Sequence, residues 1–474
     1  MNANARTRLA HPRNSGFRRL TSLDLMFLRF ESAAWPCHFA GLAVVEGKAL
    51  LDDSGKLRLG EITDRLNRRL ARIPELRRRL YFPGVLRGGP LWVDDDRFDI
   101  RHHVRQAAVE APGGDAQLLE AAARLDESQL DRIRPLWELW FLTGLRDGRI
   151  GVLLKLHHCV ADGTAAVAVM GSLFDLEPDA TDPVSAPWTP EPIPAAWSLM
   201  ADNLSGKVRT VGRGAAALAH PIRLARAVSL FVMLARGTLG GKASPRTSLN
   251  QPVLAGRRVQ FLRVSRSAMK EAGHAHHGTV NDVVLGLWSG GLRELLEVRG
   301  ELVAGLELAA GQAVSMRSGF DRTVGNHIGT MMLSLPVWEQ DAGRRLDLIV
   351  QRAHKPGARQ QSAAIMGVLA GLSAMPIARS GSRRQRAVNV RVTNVVGPPV
   401  PAYIFGARIL EILPIVRLFG NVGLALCAFS YAGQIYLVVT ADAARFPDLD
   451  RLIEGMERDW QALVGDPVAE PVPA

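Results

Sequence analysis

The chain is poor in cysteine: Cys37, Cys159 and Cys427 stand far apart among 474 residues. That spacing offers neither the clustered ligands of a zinc site nor an even disulfide framework, and it implies a reducing compartment. The polar, basic start MNANARTRLAHPRNSGFRRL carries no apolar core, so no secretory signal is expected. A membrane span is not expected either. The longest uncharged window, 418–441, contains Asn421, Ser430, Tyr431 and Gln434 and breaks at Ala432-Gly433; it reads as two buried strands joined by a turn. Acidic residues are missing altogether from Asn203 to Lys270, where thirteen lysines and arginines fall. The whole chain carries +12, so outside that segment it is close to neutral. A localised basic field implies an anionic partner, such as phospholipid head groups or a phosphate-bearing substrate. Nucleic acid ranks last, because no recognised nucleic-acid motif accompanies the charge.

What is present suits a folded protein of more than one core: 47% of the residues are apolar and 22% charged, over a length that favours two domains. The order of patterns indicates an α/β (α+β) chain. Residues 1–177 mix helical spacing, as in Glu61-Ile-Thr-Asp-Arg-Leu-Asn-Arg-Arg-Leu and from Gln117 to Leu125, with a strand buried on both faces over 149–157. Residues 178–252 form a crossover. It opens on the proline-rich PDATDPVSAPWTPEPIP and continues through the basic segment, whose Ala215–Leu239 stretch has the composition of an amphipathic surface helix. Residues 253–474 hold a second domain. Strands are expected near 258–264, 306–314, 331–337, 388–393, 424–430 and 435–440, with a long buried helix over 280–296 and another from 448.

Three His-His pairs occur. His102-His103 follows an alternating surface strand, and His276-His277 sits in a polar stretch before a helix; both read as solvated or locally bonded. His157-His158 in KLHHCVADG differs. It ends the buried strand and opens into a helical pattern, the place where α/β folds expose reactive side chains. Strand alternation sends the two rings to opposite sides, so one is structural and the other faces a cleft. Asp162 follows His158 by four residues and Gly163 permits the turn; Asp162 is either a helix N-cap or a group that holds the turn rigid. A neutral imidazole with a pKa of about 6.5 suits a general base for a hydroxyl or thiol. Cys159 reads as buried, and adjacent histidines that point apart do not make a metal site.

The segment His157-His158-x-x-x-Asp162-Gly163 resembles the signature of CoA-dependent acyltransferases with the chloramphenicol acetyltransferase-like fold. Leu23-Asp24, Pro36-Cys37-His38, Pro135-Leu136-Trp137, Asn281-Asp282, Val314-Ser315-Met316-Arg317, Gly325-Asn326 and Thr393-Asn394-Val395-Val396-Gly397-Pro398 follow in the order of the bacterial wax ester synthase/acyl-CoA:diacylglycerol acyltransferase family. The segment Arg417-Leu-Phe-Gly-Asn421 departs from the usual family residues, near where members shape the substrate channel.

The resemblance implies two chloramphenicol acetyltransferase-like domains, each a mixed sheet flanked by helices, with a substrate tunnel between them. It implies an O-acyltransferase that moves a long acyl chain from acyl-CoA to diacylglycerol or a long-chain alcohol. His158 would be the general base, His157 and Asp162 structural with Arg317 as a partner for the carboxylate, Gly163 the turn, and Asn281 either a polar contact near the reacting centre or a helix cap. No metal or prosthetic group is implied, acyl-CoA being a substrate. The expected location is cytoplasmic, peripheral on the inner face of the membrane or on lipid droplets through the basic 203–270 segment. A carrier-linked condensation enzyme and a non-catalytic lipid-binding protein are the alternatives on the same scaffold.

Overall fold

The run Ile150-Gly-Val-Leu-Leu-Lys-Leu-His157 forms a central strand because nearly every side chain on both of its faces is buried. The structure is a computed structural model and describes residues 18–160, 169, 171–183, 188–218, 244–315, 328–353 and 381–465. In the first half of the chain the strands are β1 (Arg18–Arg19), β2 (His38–Glu46), β3 (Arg78–Tyr81), β4 (Leu91–Asp94), β5 (Val104–Ala108), β6 (Trp137–Thr143) and β7 (Arg149–His157). The second half supplies β8 (Arg257–Ser265), β9 (Leu308–Ser315), β10 (Ile328–Leu335), β11 (Val390–Val396), β12 (Tyr403–Ile404), β13 (Ala407–Ile415), β14 (Leu424–Tyr431) and β15 (Gln434–Asp442).

Two six-stranded mixed sheets result. The first runs β12-β13-β2-β7-β6-β5 and the second β10-β9-β11-β14-β15-β8, while β1, β4 and β3 make a small separate sheet. In the first, only β5 and β6 are parallel; in the second, β11 runs parallel to both β9 and β14. Helix Asp115–Glu127 packs on the first sheet through Leu118 and Ala122. Gly151 is needed there, because a Cβ at that position would come within 2.7 Å of Leu118 Cδ1. Helices Val280–Val298 and Leu449–Val464 cover one face of the second sheet, with Trp288, Leu452 and Trp460 in its core. They meet at Gly291, where a Cβ would lie 2.5 Å from the Leu452 carbonyl oxygen.

The window 418–441 is the β14–β15 hairpin turning at Ala432-Gly433, as its polar residues indicate. The expected division of the chain at 177 and 252 does not separate the sheets. β12 and β13, far along the second half, complete the first sheet, with Ile415 opposite Ala40 and Leu413 opposite Leu42 on β2. Apolar residues such as Ile409, Ile412 and Leu413 bury equally well against either sheet, so their pattern does not reveal the swap. His103 is neither solvated nor bonded locally: it is buried, stacked on Trp137 at 4.5 Å with its Nδ1 2.8 Å from the Trp137 carbonyl oxygen, whereas His102 is exposed. Asp162, Gly163, Met316, Arg317, Gly325, Asn326 and nearly all of 215–239 lie outside the described residues.

The other face of the second sheet packs on the first core, to which Phe429, Tyr431, Tyr436 and Val438 belong. Tyr431 stitches the two together: its hydroxyl donates to the Ile409 carbonyl at 2.9 Å and accepts the Ala402 N–H at 2.9 Å. Arg263 on β8 pairs with Glu411 on β13 in the same seam. Tyr431→Phe should cost about 1–3 kcal/mol, since it strands a buried N–H as well as removing a donor. The urea midpoint should fall with an unchanged slope.

Candidate active site

The site is built where β2 and β7 lie side by side, with His38 opposite His157. His157 is the last residue of β7 and fully buried. Its Nδ1 accepts the Cys159 N–H at 3.1 Å, which leaves the proton on Nε2, 3.4 Å from Glu31 Oε1. His157 is therefore the structural histidine of the pair. His38 Nε2 donates to Asp126 Oδ1 at 2.9 Å, both groups buried. Lys155, on the same strand face as His157, is buried and donates to the Leu125 carbonyl at 2.7 Å and the Ser128 carbonyl at 2.8 Å, closing the end of helix Asp115–Glu127.

Glu31 holds this arrangement together. Thr21 and Asp24 form a capping box that starts helix Ser22–Phe30, and Glu31 is the residue at which the helix ends. Its Oε1 accepts the Cys37 N–H at 3.1 Å, and its Oε2 accepts Arg132 Nη2 at 2.7 Å and Nε at 3.0 Å. Burial works to raise this carboxyl, but His157, the Cys37 N–H and Arg132 outweigh it and hold the pKa down to about 2. Cys37 and Cys159 are buried thiols whose pKa burial pushes up, Cys37 to about 11, so neither is a nucleophile at neutral pH.

His158 departs from the strand. Its N–H donates to the Cys37 carbonyl at 2.9 Å, and its ring stacks on Phe27 at 4.9 Å and meets Phe39 edge-on at 5.3 Å. Protein surrounds it deeply, yet part of its surface remains accessible, unlike His157. Burial first, then the charges of Arg417, His157, Arg391 and His38, push its pKa well below 6.5. The imidazole is thus neutral across the physiological range, the form a general base requires.

Asn281 does not cap its helix. Thr279 and Asp282 do so, the Asp282 carboxylate accepting the Thr279 N–H at 2.8 Å. Asn281 Oδ1 instead accepts Gln312 Nε2 at 2.6 Å and Asn394 Nδ2 at 3.4 Å, tying the start of helix Val280–Val298 to β9 and β11. Val390 and Val392 belong to the helix-covered core, so strand alternation places Asn394 on that face and Arg391 on the opposite one, toward the first domain. Trp137 is a packing element, buried with its indole N–H on the Leu76 carbonyl at 2.7 Å. Glu31, Arg132, Phe27, Arg391 and Arg417 escaped the sequence reading. Arg417 stood inside a segment already singled out, whereas Glu31 carries no local signal. Among the described residues no group of His, Cys, Asp and Glu is arranged to hold a metal ion.

This architecture is that of a class of two-domain acyl-transferring folds. The solved wax ester synthase/diacylglycerol acyltransferase of Marinobacter aquaeolei VT8 superposes with a TM-score of 0.68 at 23% identity, covering 94% of this chain and 98% of that one. The first condensation domain of the calcium-dependent antibiotic synthetase follows with a TM-score of 0.59 at 16% identity, covering 96% and 98%. In sequence, residues 20–284 match the wax ester synthase/diacylglycerol acyltransferase catalytic domain and residues 324–463 match the C-terminal domain of the same family. The probable diacylglycerol O-acyltransferases tgs1 and tgs2 of Mycobacterium tuberculosis are each 30% identical, over 92% and 93% of this chain and 94% and 98% of their own lengths. The chain belongs to the wax ester synthase/diacylglycerol acyltransferase family, and it is an acyl-CoA-dependent O-acyltransferase.

Glu31→Gln tests the hub. A carboxyl held near 2 when folded and titrating near 4.5 when unfolded contributes stability that is complete above pH 4.5 and is lost as the pH falls toward 2. Wild type should exceed Glu31→Gln by up to about 3 kcal/mol at neutral pH, and the gap should close in acid, as read from urea unfolding at a series of pH values.

Proposed function

We propose that this protein esterifies lipid alcohols, including diacylglycerol and long-chain alcohols, with acyl groups from acyl-CoA, and that His158 is the general base. One observation carries the reading: a neutral, partly accessible imidazole held between Phe27 and Phe39 where the two domains meet. His158 takes the proton from the acceptor hydroxyl as its oxygen attacks the thioester carbon. The C–O bond forms, the C–S bond breaks, and the imidazolium returns the proton to the departing thiolate of CoA. Acid–base catalysis of this kind supplies about 10²–10⁴-fold. Substrate positioning and stabilisation of the tetrahedral oxyanion supply the remainder.

The protein docks on lipid surfaces from the cytoplasmic side. Helix Ala196–Leu218 is supported by Leu199, which is buried against Leu91 and Val93. On its far side Trp197, Met200, Leu204, Val208 and Val211 are exposed at spacings that place them in one stripe, Trp197 at 74%. A loop carrying exposed Phe82, Val85 and Leu86 is tied beside the helix by Asn203, whose Nδ2 donates to the Leu86 carbonyl at 2.8 Å. Lys207 and Arg209 flank the stripe, and no acidic residue follows until Glu271. Apolar side chains with basic neighbours match an anionic bilayer surface. No described helix is long and apolar enough to cross a membrane.

The decisive assay uses radiolabelled palmitoyl-CoA with hexadecanol or diolein. His158→Ala should lower turnover by about 10²–10⁴-fold while leaving the circular dichroism unchanged; equal ester formation by both proteins removes the histidine from the chemistry. The acid limb of kcat/KM for wild type should lie below pH 6.5, because the base form persists wherever the folded pKa is depressed. Arg417→Gln removes one of the depressing charges and should move that limb upward. Flotation with vesicles should recover wild type with anionic lipid, and Trp197→Glu combined with Leu204→Glu should remain in the soluble fraction; unchanged recovery of the double variant excludes this surface.

A further inference from the structure

Cations and aromatic rings form a line that ends at the histidine. Arg383, exposed, lies over Trp35 at 5.0 Å. Trp35 meets Phe419 at 5.2 Å, Arg417 lies over Phe419 at 5.4 Å and over Phe27 at 4.7 Å, and Phe27 stacks on His158 at 4.9 Å. Arg417 Nη1 also approaches Cys37 Sγ at 3.5 Å, and it is the Cys37 carbonyl that holds the His158 backbone. A second guanidinium joins from the other sheet. Arg391 sits opposite Ala425, which packs with Trp35 and Leu418, so its side chain points to the same inter-domain space as Arg417.

Among the described residues neither Arg391 nor Arg417 pairs with a carboxylate. Burial, and then Arg417, press the pKa of Arg391 down to about 10. Two like charges kept together in a low-dielectric space oppose folding unless an anion joins them. The reacting lipids offer few candidates. The acyl chain is neutral, and the pantetheine arm holds the phosphates of CoA well away from the thioester that must reach His158. Diacylglycerol and fatty alcohols are neutral at the hydroxyl end too.

We propose that Arg391 and Arg417 form an anion subsite beside His158, one that favours acceptor alcohols bearing a carboxylate or phosphate next to the reacting hydroxyl, with Arg383 at its outer mouth. This rests on His158 being the reacting centre. The planar guanidinium forks suit either oxyanion group, and the aromatic rings beside Arg417 accept the lipid chain. The chemistry is otherwise that of the parent reaction: the acceptor oxygen bonds to the acyl carbon, the thioester C–S bond breaks, and the hydroxyl proton passes through His158 to the CoA sulfur.

The test measures kcat/KM of the full chain with palmitoyl-CoA and matched acceptors: α-hydroxypalmitate against the corresponding neutral diol, and lysophosphatidate against monoolein. Wild type should favour the anionic member of at least one pair by about 10- to 100-fold, the span expected of one charge-assisted hydrogen bond. Preference in the first pair alone identifies a carboxylate, and in the second alone a phosphate. Arg391→Met and Arg417→Met should bring the ratio toward one, and Arg417→Lys should keep part of it. The proposal is overturned if wild type shows no preference, if the variants lower both members of a pair equally, or if only the KM for palmitoyl-CoA changes. Should no acceptor be esterified at all, the reaction assigned above fails instead. Calorimetric binding of α-hydroxypalmitate against the diol to wild type then still decides the subsite: tighter binding of the anion upholds it and equal binding ends it.

Discussion

Everything at the site depends on the pairing of β2 with β7, which sets His38 against His157 at the mouth of the first sheet. The register delivers the strand end to a place where one more residue leaves the sheet, and that residue is His158. Its backbone N–H is caught by the carbonyl of Cys37, the residue that leads into β2, so the imidazole is aimed by the same ladder that builds the core. Glu31 then locks the joint. It binds the backbone of Cys37, faces His157, and is itself neutralised by Arg132, so a single buried carboxylate connects helix, strand and crossing loop.

The crossing of β13 into the first sheet has a chemical consequence. Because Ile415 pairs with Ala40, the chain that continues to Arg417 must pass the histidine cluster, and the second sheet returns Arg391 to the same space. The positive charge around His158 thus follows from strand order. After burial, it helps to keep the imidazole neutral, and it departs from what a neutral lipid acceptor requires. Electrostatics and substrate range are linked here through topology.

Two different apolar surfaces bear on the proposed function. The outer one is an exposed apolar stripe with basic flanks on helix Ala196–Leu218; the inner one is the aromatic line from Trp35 to Phe27. The basic segment noted in the sequence bears on the first, and the unusual Arg417-Leu-Phe-Gly stretch on the second.

The sequence by itself determined the elements whose signals are local: the doubly buried strand over 149–157, the hairpin hidden in an uncharged window, the long helix from 280, and the histidine pair with one structural and one accessible ring. Those follow from alternation, turn residues and helical spacing, which act over a few positions. Only the tertiary structure decided which sheet β13 joins, that His103 stacks on Trp137 rather than facing water, that Thr279 and Asp282 cap the helix so that Asn281 serves the sheet, and that Glu31, Arg391 and Arg417 gather around residues far away in the chain. The physical reason is that burial and charge pairing are properties of a place in space. An isolated glutamate or arginine in a sequence carries no mark of the partner that will determine its ionisation, and a strand's apolar pattern says that it will be covered without saying by what.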